Sequence, residues 1–142
     1  MDVGVLGGHV LFHVLAEFGR ADLAFKLITQ KKFPSFGWLI EQGATTLWEN
    51  FMLPETKWLD SRNHQFWRDV THWFISCLTG IQYNGADQIL DIRPRFIEAL
   101  DYAAAFRQLN RMCLIAQISF YMSANLFEFS CMEIKRCLII CF

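Results

Sequence analysis

No glycine follows Gly85 and no proline follows Pro94. A tail of that composition lacks the residues that give tight hairpins their positive φ or fixed bend, so such turns are not expected there. Cysteine is equally unpatterned. Cys77 stands alone, and Cys113, Cys131, Cys137 and Cys141 form no C-x-x-C pair and have no histidine nearby. This excludes a zinc module, and the odd count points to unpaired thiols in a reducing compartment. Neither sign of charge is in excess: 13 Lys and Arg face 14 Asp and Glu, for a net charge of −1. The basic residues are scattered, which excludes a nucleic-acid footprint. The uncharged stretch 112–127 contains Gln117, Ser119, Ser123 and Asn125. It is shorter than the roughly 20 residues of a membrane helix, which argues against a span. The N-terminus, Met1-Asp2-Val3-Gly4, has no positive n-region, so no signal peptide is read and the compartment is cytoplasmic by default.

What is present is apolar surface. At 142 residues the chain has room for about one domain, yet 54% of it is hydrophobic, with fourteen Phe and five Trp. So short a chain has much surface per volume and buries such content poorly by itself. The excess suits faces that belong against a further part of a larger core.

Leu11, Val14, Leu15 and Phe18 recur at helical spacing, with Gly19 as a stop. A second helix is expected from about Asp22 to Gln30, with Leu23, Leu27 and Ile28 on one side. Phe33-Pro34-Ser35-Phe36-Gly37 is a breaker cluster. A short helical turn follows from Trp38 to Gln42. Leu53-Pro54 opens a polar loop reaching Arg62. From Asn63, read as an N-cap, Phe66, Val70, Trp73, Phe74, Cys77, Leu78 and Ile81 line one helical face. Gly80 ends that helix. After Tyr83-Asn84-Gly85 the period falls to two, and Ile89 to Arg95 reads as a half-buried strand. A helical unit therefore gives way to a β unit near residue 85. His9, His13 and His72 lie on or beside apolar faces and read as structural, and Trp38, Trp67 and Trp73 read as core.

The stretch Ile40-Glu41-Gln42-Gly43-Ala44-Thr45-Thr46-Leu47-Trp48-Glu49 sets a carboxylate beside an aromatic after a small-residue turn. Ser61-Arg62-Asn63-His64 then brings an imidazole from the next segment. Together with Phe33-Pro34-Ser35-Phe36-Gly37-Trp38, these stretches resemble the bacterial α-L-rhamnosidases. The helix Asp69-Val70 to Ile81 and the stretch Asp91-Ile92-Arg93-Pro94-Arg95-Phe96 continue the likeness, which covers about residues 3–107. It departs from the family at Phe51 and Arg68 and fades past about Leu109.

The resemblance implies a mainly α fold. Residues 1–84 would be the last helices of an (α/α)6 barrel of six-hairpin glycosidase type. Residues 85–110 would start a partial β-sandwich, and 111–142 would be a divergent or out-of-frame apolar tail. It implies a glycoside hydrolase acting on terminal α-L-rhamnose with inversion, on a rhamnose-containing glycoside or polysaccharide; no cofactor and no metal site is read from the residues. Glu49 matches the family's general base and His64 a sugar contact. An inverting site sets two carboxyl groups roughly 6.5–9.5 Å apart with water between them, which suits a base in this position. Trp48 would wall the site or simply pack. Glu41 is a competing carboxylate or a partner that orders its loop, and Asn63 supports the same loop. The family's general acid lies in an upstream acidic motif that nothing here resembles, so the chain is expected to be a fragment, inactive alone. The alternatives are a non-catalytic carbohydrate-binding or helical interaction module and, on the tail alone, a small membrane-associated protein.

Overall fold

The computed structural model describes residues 3–52 and 61–105 and, beyond them, the strand backbones at 106–109, 114–121, 126–132 and 138–141. The expected polar loop from Leu53 to Arg62 therefore lies outside the described residues except at its last two positions. The chain divides into two compact units, Met1–Thr71 and His72–Phe142.

Helix α1 spans Gly4–Glu17, α2 Ala21–Thr29 and α3 Phe36–Glu41. In α1 the buried residues are Gly8, Phe12 and Ala16, at i, i+4 and i+8. The face expected from Leu11, Val14, Leu15 and Phe18 is not the one buried. Phe18 lies just past the helix and is 79% exposed, and Val14 is exposed too. The reason is that α1 is apolar on both sides, so periodicity fits two faces equally. Packing selects the one on which small Gly8 and Ala16 flank a single large Phe12. Helix α2 forms close to its expected range and buries Ala21, Ala24 and Ile28, so of the expected side Ile28 is buried while Leu23 and Leu27 are half-buried. At its start Arg20 Nε and Nη2 donate to the Asp22 carboxylate at 3.1 Å each. The guanidinium hydrogen bond holds that exposed carboxyl below its ordinary range, and a charge of this sign suits a helix N-terminus.

Helix α3 starts two residues earlier than the pattern suggests because Ser35 caps it. Its hydroxyl accepts from Trp38 N at 3.0 Å and donates to the carbonyls of Gln30 and Lys32. Ser35 is fully buried, and its hydroxyl is satisfied in this way. Phe36 and Leu39 are buried, whereas Trp38 is half-buried and stands edge-on to Phe33. Trp38 is thus a border residue and not core.

The helix expected from Asn63 forms with three pitches. Gln65–Arg68 is a 3-10 turn, α4 is Asp69–Trp73, and Phe74–Leu78 is a π turn. Asn63 is not the cap: His64 holds that position, without a side-chain bond. The tighter first turn shifts the angular phase of the residues before α4. Trp67 is therefore buried and Phe66 is 56% exposed, against expectation, while Val70, Trp73, Cys77 and Leu78 are buried as expected. Cys77 is buried and in no disulfide among the described residues; the other four cysteine side chains lie outside those residues. The hydroxyls of Ser76 and Thr79 bond back to His72 O and Ile75 O, which satisfies them inside the run.

Strand β1, Ile81–Asn84, pairs antiparallel with β2, Ile89–Ile92, with Ile81 opposite Ile92 and Asn84 opposite Ile89. Leu90 and Ile92 point inward, as the period of two requires. The β region thus begins at Ile81, slightly ahead of residue 85, and β2 stops at Ile92. Strands β3 (Tyr102–Leu109), β4 (Leu114–Tyr121) and β5 (Leu126–Met132) form a second, antiparallel sheet. Strand β6, Leu138–Cys141, runs parallel to β2. The connections at 110–113 and 122–125, where the expectation about tight turns falls, lie outside the described residues. Antiparallel neighbours joined by four residues, as β3–β4 and β4–β5 are, do not in general demand the special residues of a two-residue turn. Among the described residues no helix is long and apolar enough to cross a membrane.

After the π turn the chain reverses at Gly80, whose φ is +75° and whose missing Cβ leaves room for the Arg93 carbonyl. Arg93 N donates to Gly80 O at 3.0 Å, and Arg95 binds Leu78 O through its amide and Cys77 O through Nη1. Gly80→Ala would strain the left-handed backbone by roughly 1–2 kcal/mol and add an overlap with Arg93. Urea unfolding should show at least that loss. Ser35→Ala should cost about 0.5–2 kcal/mol, the usual range for an N-cap, read from the same transition.

Candidate functional site

The chain leaves α3 through a turn in which Gly43 N donates to Ile40 O and Ala44 N to Leu39 O. It then runs without regular structure through the Thr-Thr-x-Trp-Glu motif. Residues 46–49 lie alongside 61–64. Glu49 N donates to Ser61 O at 2.8 Å and His64 N to Leu47 O at 2.7 Å, while the Thr46 hydroxyl donates to Arg62 O. These bonds satisfy main-chain groups that have no helix or sheet to bond to.

Glu49 is held at three points. Besides its N–H, its carbonyl accepts from Trp67 Nε1 at 3.1 Å, and its carboxylate Oε2 accepts from Ser61 N at 2.9 Å. The side chain remains 38% exposed, so the carboxylate is open to water. His64 Nδ1 stands 3.9 Å from the same Oε2. That is too long for a hydrogen bond, so the two side chains are neighbours and not a bonded pair. The His64 ring meets Phe66 edge-on, with centroids 5.2 Å apart. Trp48 is half-buried and carries the Arg62 guanidinium over its ring at 5.3 Å, a cation–π contact.

The two motif stretches therefore bring Glu49, His64 and Trp48 into one loop pair. Glu41 is elsewhere engaged: its carboxylate binds Lys31 Nζ at 2.8 Å in an exposed ion pair at the end of α3. Asn63 is exposed, and its main-chain N–H donates to Ser61 Oγ at 3.2 Å. His13 Nε2 lies 2.9 Å from Asp69 Oδ2 and His9 Nδ1 3.7 Å from it, a structural tie between α1 and α4. Among the described residues no group of three His, Cys, Asp or Glu could hold a metal ion.

Sequence reasoning missed Trp67, read there as core alone. It is 4% exposed and packs against Phe36 and Phe51 at ring separations of 5.2 and 5.6 Å. The available signal was that a buried indole needs an acceptor for its N–H.

Comparison with known proteins fits this arrangement. Residues 1–78 match the family model of the bacterial alpha-L-rhamnosidase 6 hairpin glycosidase domain. An alpha-L-rhamnosidase of Streptomyces avermitilis is 35% identical over 106 residues, which is 67% of this chain and 10% of that protein. The solved alpha-L-rhamnosidase from Dictyoglumus thermophilum superposes with a TM-score of 0.74 at 28% identity, over 84% of this chain and 14% of that one. The Streptomyces avermitilis enzyme, solved in complex with L-rhamnose, gives 0.70 at 28% identity, over 84% of this chain and 12% of that one. The chain thus spans about a tenth to a seventh of the length of these relatives. Residues 1–78 thus fall in a six-hairpin glycosidase domain, and β-strands follow from Ile81. By its matched domain and its relatives, the chain belongs to the bacterial α-L-rhamnosidase family.

Proposed function

We propose that this chain supplies the base-bearing part of an inverting α-L-rhamnosidase site, acting on a rhamnose-containing glycoside or polysaccharide. The observation that carries the reading is the Glu49 carboxylate, backbone-anchored and open to water, with the His64 ring 3.9 Å away. In this reading Glu49 takes the proton from a water as the water attacks the anomeric carbon. The Ser61 amide occupies one lobe of Oε2 and helps fix the direction in which the carboxylate faces that water. His64 donates or accepts a hydrogen bond at a sugar hydroxyl, and Trp48 walls the same side of the ring.

The partner acid that protonates the leaving oxygen would stand roughly 6.5–9.5 Å from Glu49 across the water and sugar. Nothing in the 142 residues resembles the family's acid-bearing motif, and Glu41, ion-paired with Lys31, is not placed beside Glu49 by any contact. Loss of such an acid is typically worth 10²–10⁴-fold in rate, so the chain by itself should not turn over. A second support for rhamnose as the sugar is the relative solved in complex with L-rhamnose.

The purified chain should release no p-nitrophenol from p-nitrophenyl α-L-rhamnoside above buffer. Turnover that disappears in Glu49→Gln would instead show a complete site within these residues. In an enzyme where this segment is joined to a full six-hairpin domain, Glu49→Gln should lower kcat by about 10²–10⁴-fold. An unchanged kcat in that setting would remove Glu49 from the role of base.

A further inference from the structure

Among the described residues, Glu49 is the only carboxylate whose main-chain carbonyl is bonded by a buried side chain at hydrogen-bond distance. Trp67 Nε1 reaches it at 3.1 Å, eighteen residues along the chain. The indole is not free to move. Phe36 and Phe51 border it at centroid distances of 5.2 and 5.6 Å, and Phe51 and Phe36 meet each other at 5.3 Å. On a further side lies Gly8 of α1, where an added Cβ would overlap Trp67 Cζ3 and come within 3.1 Å of Cη2. Gly8 is buried in the middle of a helix, where glycine costs about 1 kcal/mol relative to alanine. A helix interior tolerates that cost where a neighbour needs the space, and here the neighbour is the indole.

We infer that Trp67, seated by the missing Cβ of Gly8, is a positioning residue for Glu49: its N–H fixes the Glu49 carbonyl and so the aim of the carboxylate. The inference rests on the reading of Glu49 as the base, and deepens it. Three groups converge on one residue. Ser61 binds the Glu49 N–H and Oε2 through its own main chain, and Trp67 holds the carbonyl. With its N–H and carbonyl both held, the Glu49 peptide planes cannot swing, and only the side-chain torsions remain to place Oε2 against Ser61 N. Removing the indole N–H frees one of those planes without touching the carboxylate.

The Ser61 amide reports on this aim without any need for turnover. In the full 142-residue chain its proton donates to a carboxylate, so protonating Glu49 with acid should displace the Ser61 amide resonance, and Glu49→Gln should abolish the displacement. Trp67→Phe keeps an aromatic ring against Phe36 and Phe51 but lacks the N–H. Replacement of Trp67 by benzothienylalanine keeps the full indole shape, again without the N–H, and covers the case in which the smaller ring unfolds the chain. The expected result is that both variants retain dispersed amide spectra while Ser61 loses most of its response to acid. Gly8→Ala, which drives a methyl into the indole, should do the same. A Ser61 response that persists in full in the benzothienyl variant would overturn the inference and leave Trp67 as packing alone. A response that persists in Glu49→Gln would overturn it as well, because the carboxylate would then not be held by Ser61. Neither result depends on rhamnoside hydrolysis, so a failure here and a failure of the proposed activity are read separately.

Discussion

Both main-chain groups of Glu49 are engaged, and the rest of the site follows from that constraint. A carboxylate on an irregular segment would ordinarily sample several backbone states, because no helix or sheet bonds its N–H and C=O. Here Ser61 and Trp67 take those roles. The loop pair 46–49 and 61–64 is consequently as constrained at one residue as a strand would be, while its side chains stay open. His64 follows from the same crossing, since its N–H is bonded to Leu47 O two residues before Glu49. The 3.9 Å separation of carboxylate and imidazole is therefore set by backbone bonds and not by attraction between the two side chains.

The aromatic trio of Phe36, Phe51 and Trp67 links this constraint to the fold. Phe36 is positioned by the Ser35 cap, Trp67 by the tight turn after His64, and Phe51 lies two residues past the carboxylate. Each of these local features would be modest alone. A cap is worth about 1 kcal/mol and an aromatic pair about 0.5–1.5 kcal/mol beyond its burial. Their effect on the site is geometric: they leave the indole one orientation, with its N–H toward the Glu49 carbonyl.

The grouping of Glu49, His64 and Trp48 was legible in the sequence, because a short motif with small residues before it and a histidine after it dictates a compact loop pair. So were the range of α2, the burial of Val70, Trp73, Cys77 and Leu78, and the alternation of β2. What was not legible depended on choices that a single sequence leaves balanced. The buried side of α1 turned on two small residues beside Phe12, against an apolar stripe of equal weight that ends at Phe18. The exposure of Phe66 and burial of Trp67 turned on one residue of helical phase, which a 3-10 turn shifts and a uniform helix does not. Asn63 is a good capping residue by type, but His64 holds the cap and the Asn63 amide is used on Ser61 Oγ. The pairing of the tail strands was hidden for a different reason: β pairing is non-local, and the turn residues that usually announce it are absent.

The remaining apolar excess separates two tasks within the chain. Leu6 and Val10 are exposed on the side of α1 away from Gly8, Phe12 and Ala16, and Phe18 just past the helix is exposed too. A helix apolar all round belongs to an interior packed from both sides, and the chain itself buries one side only. The side it buries is the one that carries Gly8 and seats the indole. Every bond that aims Glu49, and every ring that holds Trp67, lies within residues 1–71. On the proposed reading, the direction of the base is thus set by contacts within one stretch of the chain. What the opposing part of a six-hairpin domain would add is the acid and the far wall of the pocket. An inverting site needs that division to be rigid on each side separately, because the water between the two carboxyl groups leaves no direct contact through which one could correct the other.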